Sequence, residues 1–229
     1  MKVSDLIENL ELQFEQNKNK EIALKSEKYL KNQFKFYGLQ SSSRRLIQKD
    51  WFLLLKENYN SFNHWELIQE LWKKDQREYK YVAVDWLHSW KKSQIQFSDI
   101  TEIETLITTN SWWDSVDLIA STYLANYFKK FPSQIPIVLN SWRRTENIWL
   151  KRSCLLFQLK YKNDVDFELL KSLIIEFQPI KEFFIQKAIG WALRQYSKFN
   201  EKAVKDFIEE INLNGIAKRE GSKYILSND

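Results

Sequence analysis

Four side chains with a capacity for chemistry recur at spacings close to one structural repeat. Trp113 and Asp117 are four positions apart, so a helix would place them on one face. Arg152 follows Trp113 by 39 residues, and Trp191 follows Arg152 by 39 residues. If consecutive repeats stack side by side, these spacings predict a row of Trp, Asp, Arg and Trp on one surface. Arg194, three residues after Trp191, would extend that row.

Such a row would bind a flat cation and stabilise positive charge next to it. Two indole faces form a slot for an electron-poor ring, and each cation–π contact contributes about 0.5–2 kcal/mol. An arginine beside them can bind phosphate through paired hydrogen bonds. A flat cation joined to a phosphate backbone describes an N3-alkyladenine or N7-alkylguanine in DNA. As the glycosidic bond of such a base breaks, an anion close to the sugar lowers the barrier and can orient water.

The elements that would position these residues are predicted to be helices. Gly and Pro number only 4 and 3, whereas sheets need turn residues every 8–12 positions or so. Apolar residues recur at helical spacing almost throughout. Residues 41–43, Asn63 and Asp166 precede apolar runs as capping signals. The predicted helices span 3–16, 18–36, 41–58, 63–75, 77–93, 98–109, 112–130, 134–143, 147–162, 166–177, 182–199 and 201–212, with a short last helix near 215–225.

Aromatic residues open four strongly apolar helices at a regular interval. Tyr79, Trp113, Trp149 and Phe184 are separated by 34, 36 and 35 residues. Two helices and two short loops per period are typical of a HEAT or armadillo solenoid. We therefore predict an all-α fold, a HEAT-like α–α superhelix with a concave DNA-binding face. No linker-like segment interrupts it, so residues 1–229 are predicted to form one domain of about six antiparallel helix pairs. The inner helices of the solenoid are predicted to be 77–93, 112–130, 147–162 and 182–199.

The overall charge is compatible with nucleic acid but decides little. There are 35 basic and 30 acidic residues, a net charge of +5 and a pI near 9.0. The local distribution is more informative, because residues 142–162 contain six basic side chains and only one acidic one, Glu146. Cys154, the one cysteine, lies in an apolar run and is predicted to be a buried thiol.

Several classes of protein are disfavoured by features that the sequence lacks. No apolar stretch approaches the roughly 18 residues that a membrane span needs, and no signal-like segment precedes Asp5. We therefore expect a cytoplasmic protein without a membrane partner. His64 and His88 have no Cys or acidic partner at ligand spacing, so no metal is expected. Neither a glycine-rich phosphate loop nor a credible Ser-His-Asp order is found, which argues against nucleotide hydrolysis and acyl transfer.

At four places in the chain the sequence resembles the AlkD-like DNA alkylation repair family, which are DNA glycosylases built of HEAT-like repeats. The matching segments lie in the same order as in the family and span nearly the whole chain, which makes the resemblance more specific than any single motif. They are SWWDSVD at 111–117, WLKRS at 149–153, AIGWALR at 188–194, and YLKNQF at 29–34 followed by Arg44-Arg45.

The resemblance implies a role for each conspicuous residue. It implies that Asp117 is the catalytic carboxylate, that Trp113 and Trp191 flank the lesion, and that Tyr29 packs on the damaged nucleotide from the opposite side. Arg152 is implied to bind the DNA backbone. The predicted DNA contacts are Arg152, Tyr29, Arg194, Lys151, Arg44 and Arg45.

Two functions from different classes follow as hypotheses. The first is a monofunctional glycosylase of base excision repair that hydrolyses N3-methyladenine or N7-methylguanine from duplex DNA, without cofactor or metal and as a monomer. Monofunctional action is predicted because Lys187 is the only lysine near the row and its placement as a Schiff-base nucleophile is doubtful. The alternative is a non-catalytic HEAT-repeat module that binds DNA or a protein partner. A groove without a carboxylate between the tryptophans would be typical of that module, and Asp117 argues against it.

Overall fold

The computed structural model describes residues 2–225 and separates into two compact units, Met1–Trp90 and Lys91–Asp229. All the regular elements in the described residues are helices. The fold class is the predicted one, an all-α fold of the α–α superhelix type. The organisation as one domain and the concave DNA-binding face stay predictions.

The first unit contains five α-helices around an apolar core. Leu10 and Phe14 of the first helix, Trp51 of the third and Tyr79 of the fifth are almost fully buried. The first helix packs against the third and fourth, and the fourth packs against the fifth. Burial of these apolar faces is the main source of stability for such helix pairs. The helices are α1 (Val3–Gln16), α2 (Lys20–Tyr29), α3 (Ser41–Glu57), α4 (His64–Lys73) and α5 (Arg77–His88).

Within the part of the second unit that the structure describes there are nine further α-helices, and one of them lies at its centre. This helix, Ile148–Leu156, contacts five of the other helices, including those that begin at Trp113 and Phe183. It therefore fixes the elements on either side of it. The helices are α6 (Asp99–Thr108), α7 (Trp113–Leu118), α8 (Ala125–Lys130), α9 (Gln134–Trp142), α10 (Ile148–Leu156), α11 (Phe167–Phe177), α12 (Phe183–Ser197), α13 (Glu201–Glu210) and α14 (Gly215–Gly221).

The prediction that aromatic residues open four helices at a regular interval is confirmed. The first turns of these helices, α5, α7, α10 and α12, contain in that order Tyr79, Trp113, Trp149 and Phe184. The predicted cap at Asn63 is also confirmed, because its side chain accepts hydrogen bonds from the backbone N–H groups of residues 65 and 66. Likewise, the side chain of Asp166 accepts from Leu169 N in α11. The expected serine cap of α3 is wrong: the helix already begins at Ser41, and the preceding Gln40 makes no side-chain cap.

Several predicted helices are shorter or less regular than expected; the one expected over 77–93, for example, ends at His88. The helix expected over 18–36 ends at Tyr29, because Lys31 and Asn32 adopt left-handed φ values of 56° and 57°. The helix expected over 147–162 ends at Leu156. The helix expected over 112–130 is interrupted by a π-helical turn, Ile119–Leu124, between α7 and α8. Such turns are rare and are found frequently at functional sites.

Three tryptophans of the first unit belong to its core. Trp51, Trp72 and Trp86 are buried, whereas Trp65 and Trp90 are half-buried. Cys154 is buried, and burial raises the pKa of its thiol. Within residues 2–225, no helix has the length and apolar character that a membrane crossing requires.

Candidate functional site

The second unit has a pocket of about 340 Å³ where four of its helices meet. Such a volume lies within the usual range of small-ligand sites, roughly 300–1,000 Å³. Helix α7 contributes the first part of its wall, α10 a single arginine, α12 one whole face, and α14 a carboxylate. The residues that line it are Trp113, Asp117, Arg152, Phe183, Phe184, Lys187, Trp191, Arg194 and Glu220.

Helix α7 presents Trp113 and Asp117 from one face. The residue before the helix, Trp112, has an extended backbone, and its carbonyl accepts from the N–H groups of Ser115 and Val116. The helix therefore begins at Trp113, and a four-residue step brings Asp117 onto the same side, one turn later. Both residues line the pocket, as the spacing predicted.

Trp112 and Trp113 face different environments: Trp113 lines the pocket, whereas Trp112 packs against other aromatic rings. The Trp112 ring packs 5.7 Å from Trp149 and 5.2 Å from Phe184, measured between centroids. Trp149 and Phe184 are 5.0 Å apart. These three rings join the starts of α7, α10 and α12. Because aromatic contacts of this kind add about 0.5–1.5 kcal/mol each beyond burial, they hold the pocket wall rigid.

The carboxylate of Asp117 is paired with Arg152 in a two-point ion pair. Arg152 Nε donates to Asp117 Oδ1 and Nη2 donates to Oδ2, both at 2.7 Å. A third donor, Nη1, bonds the backbone carbonyl of Phe184. Both side chains are almost buried, with 10% of Asp117 and 5% of Arg152 exposed. This geometry fixes the carboxylate in one orientation at the pocket wall.

Two opposing effects act on the charge of Asp117. Burial raises the pKa of its carboxyl, while the hydrogen bonds and charge of Arg152 act to lower it. Asp114, three residues earlier, raises the pKa further by repulsion. A two-point pair with a guanidinium needs both carboxylate oxygens as acceptors, so the paired state is the ionised one. The site therefore holds an anion in a place that disfavours charge, which is typical of functional carboxylates.

A second buried carboxylate, Glu220 of α14, lies at the α12 side of the pocket. Its Oε1 is 3.0 Å from Lys187 Nζ, and its Oε2 is 3.3 Å from Arg194 Nη1 and 2.7 Å from Lys223 Nζ. Only 4% of Glu220 is exposed. The ammonium of Lys223 and then that of Lys187 lower the pKa of Glu220 to about 2. The group is therefore a permanent anion near neutral pH.

Helix α14 approaches α12 so closely because of Gly190. A Cβ at that position would lie 2.4 Å from the Cβ of Glu220 and 2.8 Å from the carbonyl oxygen of Ala217. The small residue beside Trp191 thus relieves crowding against the next helix. It also allows the Glu220 carboxylate to reach the pocket.

The structure brings together five of the nine predicted site residues. Trp113, Asp117, Arg152, Trp191 and Arg194 line the same pocket.

The remaining four predicted site residues lie elsewhere. Lys151 belongs to α10 but is not among the lining residues described. Tyr29 ends α2 and is 72% exposed. Arg44 is buried and donates to Asp85 Oδ2 at 2.8 Å, and Arg45 is exposed on the same helix. These last three belong to the first unit, and their contacts with DNA stay predictions.

Sequence reasoning missed three pocket residues. Phe184 was recognised only as a marker of the repeat, and Phe183 was not singled out. Glu220 lay in the predicted last helix, where nothing in its own neighbourhood distinguished it. A usable signal was present for the pairing of Arg152, because Asp117 precedes it by 35 residues, one repeat length. Within residues 2–225, no cluster of three or more His, Cys, Asp and Glu side chains could hold a metal ion.

Comparison with known proteins gives two strong matches and one partial one. The model of the DNA alkylation repair enzyme family matches residues 10–225. A solved structure described as a predicted DNA alkylation repair enzyme from Enterococcus faecalis is 34% identical, with a TM-score of 0.81, over 91% of this chain and 96% of that one. The pre-mRNA-splicing factor CLF1 of Saccharomyces cerevisiae is 26% identical over 175 residues. That last match spans 61% of this chain but only 24% of the splicing factor.

The family-model match runs through all the helices that build the pocket, and its range includes the motifs at 111–117, 149–153 and 188–194. The resemblance inferred from those motifs is confirmed. The chain belongs to the DNA alkylation repair enzyme family, and this membership supports a role in the repair of alkylated DNA.

Proposed function

We propose that this protein is a DNA glycosylase of base excision repair that hydrolyses the N-glycosidic bond of cationic N3- or N7-alkylated purines in duplex DNA. N3-methyladenine and N7-methylguanine are the expected substrates. The observation that carries the proposal is the carboxylate of Asp117, which lies buried in a pocket with Trp113 and Trp191 and is held there by Arg152. A fixed anion in the same pocket as two indoles suits a reaction in which positive charge moves from base to sugar.

The chemistry needs no external electron source or metal. The bond between C1′ and the base nitrogen breaks, its electron pair leaves with the base, and the alkylated purine departs neutral. Positive charge then develops on the deoxyribose, where the preorganised carboxylate of Asp117 stabilises it. Water adds to C1′ and gives up a proton, and the same carboxylate can orient that water. Trp113 and Trp191 hold the cationic base by stacking and cation–π attraction.

Arg152 has two roles in this proposal. Its pairing with Asp117 keeps the carboxylate ionised and aimed, so that little reorganisation is needed during the reaction. The guanidinium has five N–H donors, of which three are used by Asp117 and the carbonyl of Phe184. Two remain for a phosphate oxygen, so DNA contact is compatible with the intact pair. The other proposed DNA contacts are Arg194, Lys151, Tyr29, Arg44 and Arg45.

Monofunctional action is favoured by the state of Lys187. A lysine in the pocket could attack the aldehyde of an abasic site, but only as a neutral amine. Lys187 Nζ lies 3.0 Å from the Glu220 carboxylate, so this ion pair engages the nitrogen that would have to attack. We therefore propose simple hydrolysis that leaves an intact abasic site.

Incubation with methylated duplex DNA tests this function. Chromatography of the soluble fraction should reveal free N7-methylguanine and N3-methyladenine, while the DNA strand stays unbroken until alkali cleaves the abasic site. Binding of the duplex without release of any base would contradict the proposal and favour the non-catalytic module. Strand cleavage without alkali would contradict the monofunctional assignment alone.

A further inference from the structure

The buried carboxylate of Glu220 forms ion pairs with two cationic side chains of the pocket, Lys187 and Arg194. In the sequence of α12, one of them precedes the pocket tryptophan Trp191 and the other follows it. Lys187, Trp191 and Arg194 follow one another on α12 at steps of four and three residues, so they share one face. Oε1 of Glu220 bonds the lysine before the tryptophan, and Oε2 bonds the arginine after it. The proposed hydrolysis of the glycosidic bond assigns Glu220 no role beyond its ion pair with Lys187.

The charges of this cluster do not cancel. Glu220 carries one negative charge, while Lys187, Arg194 and Lys223 carry three positive ones. The carboxylate is 4% exposed, whereas about a third of the lysine and arginine side chains at the pocket is exposed, 37% and 33%. An incoming anion therefore meets the cations and not the carboxylate. Each of the two pocket cations has more N–H donors than its contact with Glu220 uses, so donors remain for a ligand.

We propose that Glu220 is a positioning residue that holds Lys187 and Arg194 as a phosphate clamp on both sides of Trp191. The ligand is a phosphodiester of the DNA strand that carries the lesion, and this identification rests on the proposed function. By fixing the backbone at two points, the clamp sets the sugar against Asp117. Small misplacements of reacting groups cost up to about a hundredfold in rate, so the clamp contributes to the rate of base release more than to affinity.

The variant Glu220→Gln removes the charge and keeps the shape of the side chain. The proposal predicts that Kd for an unmodified duplex stays the same or becomes tighter, because a negative charge near DNA is lost. The single-turnover release of N7-methylguanine at saturating enzyme should fall by about tenfold or more. If Glu220 had only a structural role, the variant would bind the duplex more weakly, release the base more slowly and melt at a lower temperature. A release rate equal to that of the wild type would overturn the proposal.

Three lysine and arginine variants give a second test that does not depend on the folding of the first. Lys187→Met and Arg194→Met should each reduce the slope of log K against log salt by about one, since one phosphate contact is lost. Lys223→Met is the matched control: it removes the third cation bound to Glu220, but Lys223 does not line the pocket. Its slope should not change. Equal changes in all three variants, or none in any, would refute the clamp.

These slopes are measured on undamaged DNA, so they do not require any base release. A wild-type protein that releases no base while the slopes change as expected would remove the glycosylase function and keep the clamp. If the wild type releases the base but the slopes of Lys187→Met and Arg194→Met do not change, the glycosylase function is supported and the clamp is refuted.

Discussion

Breaking the ion pair between Asp117 and Arg152 should destabilise the second unit at neutral pH. Arg152→Ala leaves the Asp117 carboxylate in a site where only 10% of the side chain reaches solvent, and it also removes a donor from the carbonyl of Phe184. Loss of one partner of a buried pair costs about 3–5 kcal/mol. Because Asp117 lies at a pocket wall that water can enter, we expect the lower end, about 3 kcal/mol.

The direction in which the stability of Arg152→Ala changes with pH follows from the negative charge that remains on Asp117. Burial already raises the pKa of Asp117, and removal of the guanidinium should raise it further. The folded variant then binds a proton more readily than the unfolded chain does, so its stability increases as the pH falls through the raised pKa. The difference in unfolding free energy between Arg152→Ala and the wild type should therefore be largest at neutral pH. It should become smaller as the pH falls towards the pKa of an ordinary carboxyl group.

Urea unfolding of five proteins measures this effect. The free energy of unfolding is compared for the wild type, Arg152→Ala, Asp117→Ala and the double variant, with Lys151→Ala as a control from the same helix. The loss of unfolding free energy in the double variant should be smaller than the sum of the losses in the two single variants, by about 1–3 kcal/mol. Strictly additive losses, or an Arg152→Ala protein as stable as Lys151→Ala, would refute the reasoning.

Three further outcomes are expected. Base release should increase with pH as Asp117 ionises, with a midpoint above the ordinary aspartate range because burial raises its pKa; a flat profile between acid and neutral pH would speak against it. Gly190→Ala should lower the free energy of unfolding by about 1–3 kcal/mol through overpacking, whereas Gly221→Ala, whose new Cβ would lie 3.3 Å from its nearest neighbour, should cost much less in the same urea assay. Arg152→Ala should weaken duplex binding and reduce its salt slope by about one in a fluorescence titration, and an unchanged slope would remove this arginine from the DNA contacts.

The repeat period was the most informative feature of the sequence. An interval of about 35 residues predicted that Trp113, Arg152 and Trp191 lie on neighbouring helices, and all three line one pocket. This works because each repeat must bury its apolar face against the next, so residues one period apart become neighbours. The same logic would have paired Arg152 with Asp117, 35 residues earlier, but the sequence predicted Arg152 only as a DNA contact.

Other features depend on contacts that no local pattern encodes. The π-helical turn after Asp117 interrupts a run whose apolar periodicity is continuous in the sequence. Glu220 becomes part of the pocket only because the last described helix packs tightly on Gly190. Positions such as these are decided by how helices meet, and a sequence pattern predicts the helices themselves more readily than their contacts.

The catalytic role of Asp117 is tested most directly by the rate of base release after its charge alone is removed. Single-turnover release of N7-methylguanine at saturating enzyme should fall by about a hundredfold to a thousandfold in Asp117→Asn, the usual loss for one preorganised electrostatic group. Asp114→Asn, which removes a carboxylate from the same helix but outside the pocket, should retain nearly the full rate. Release at the wild-type rate by Asp117→Asn would contradict the proposed mechanism.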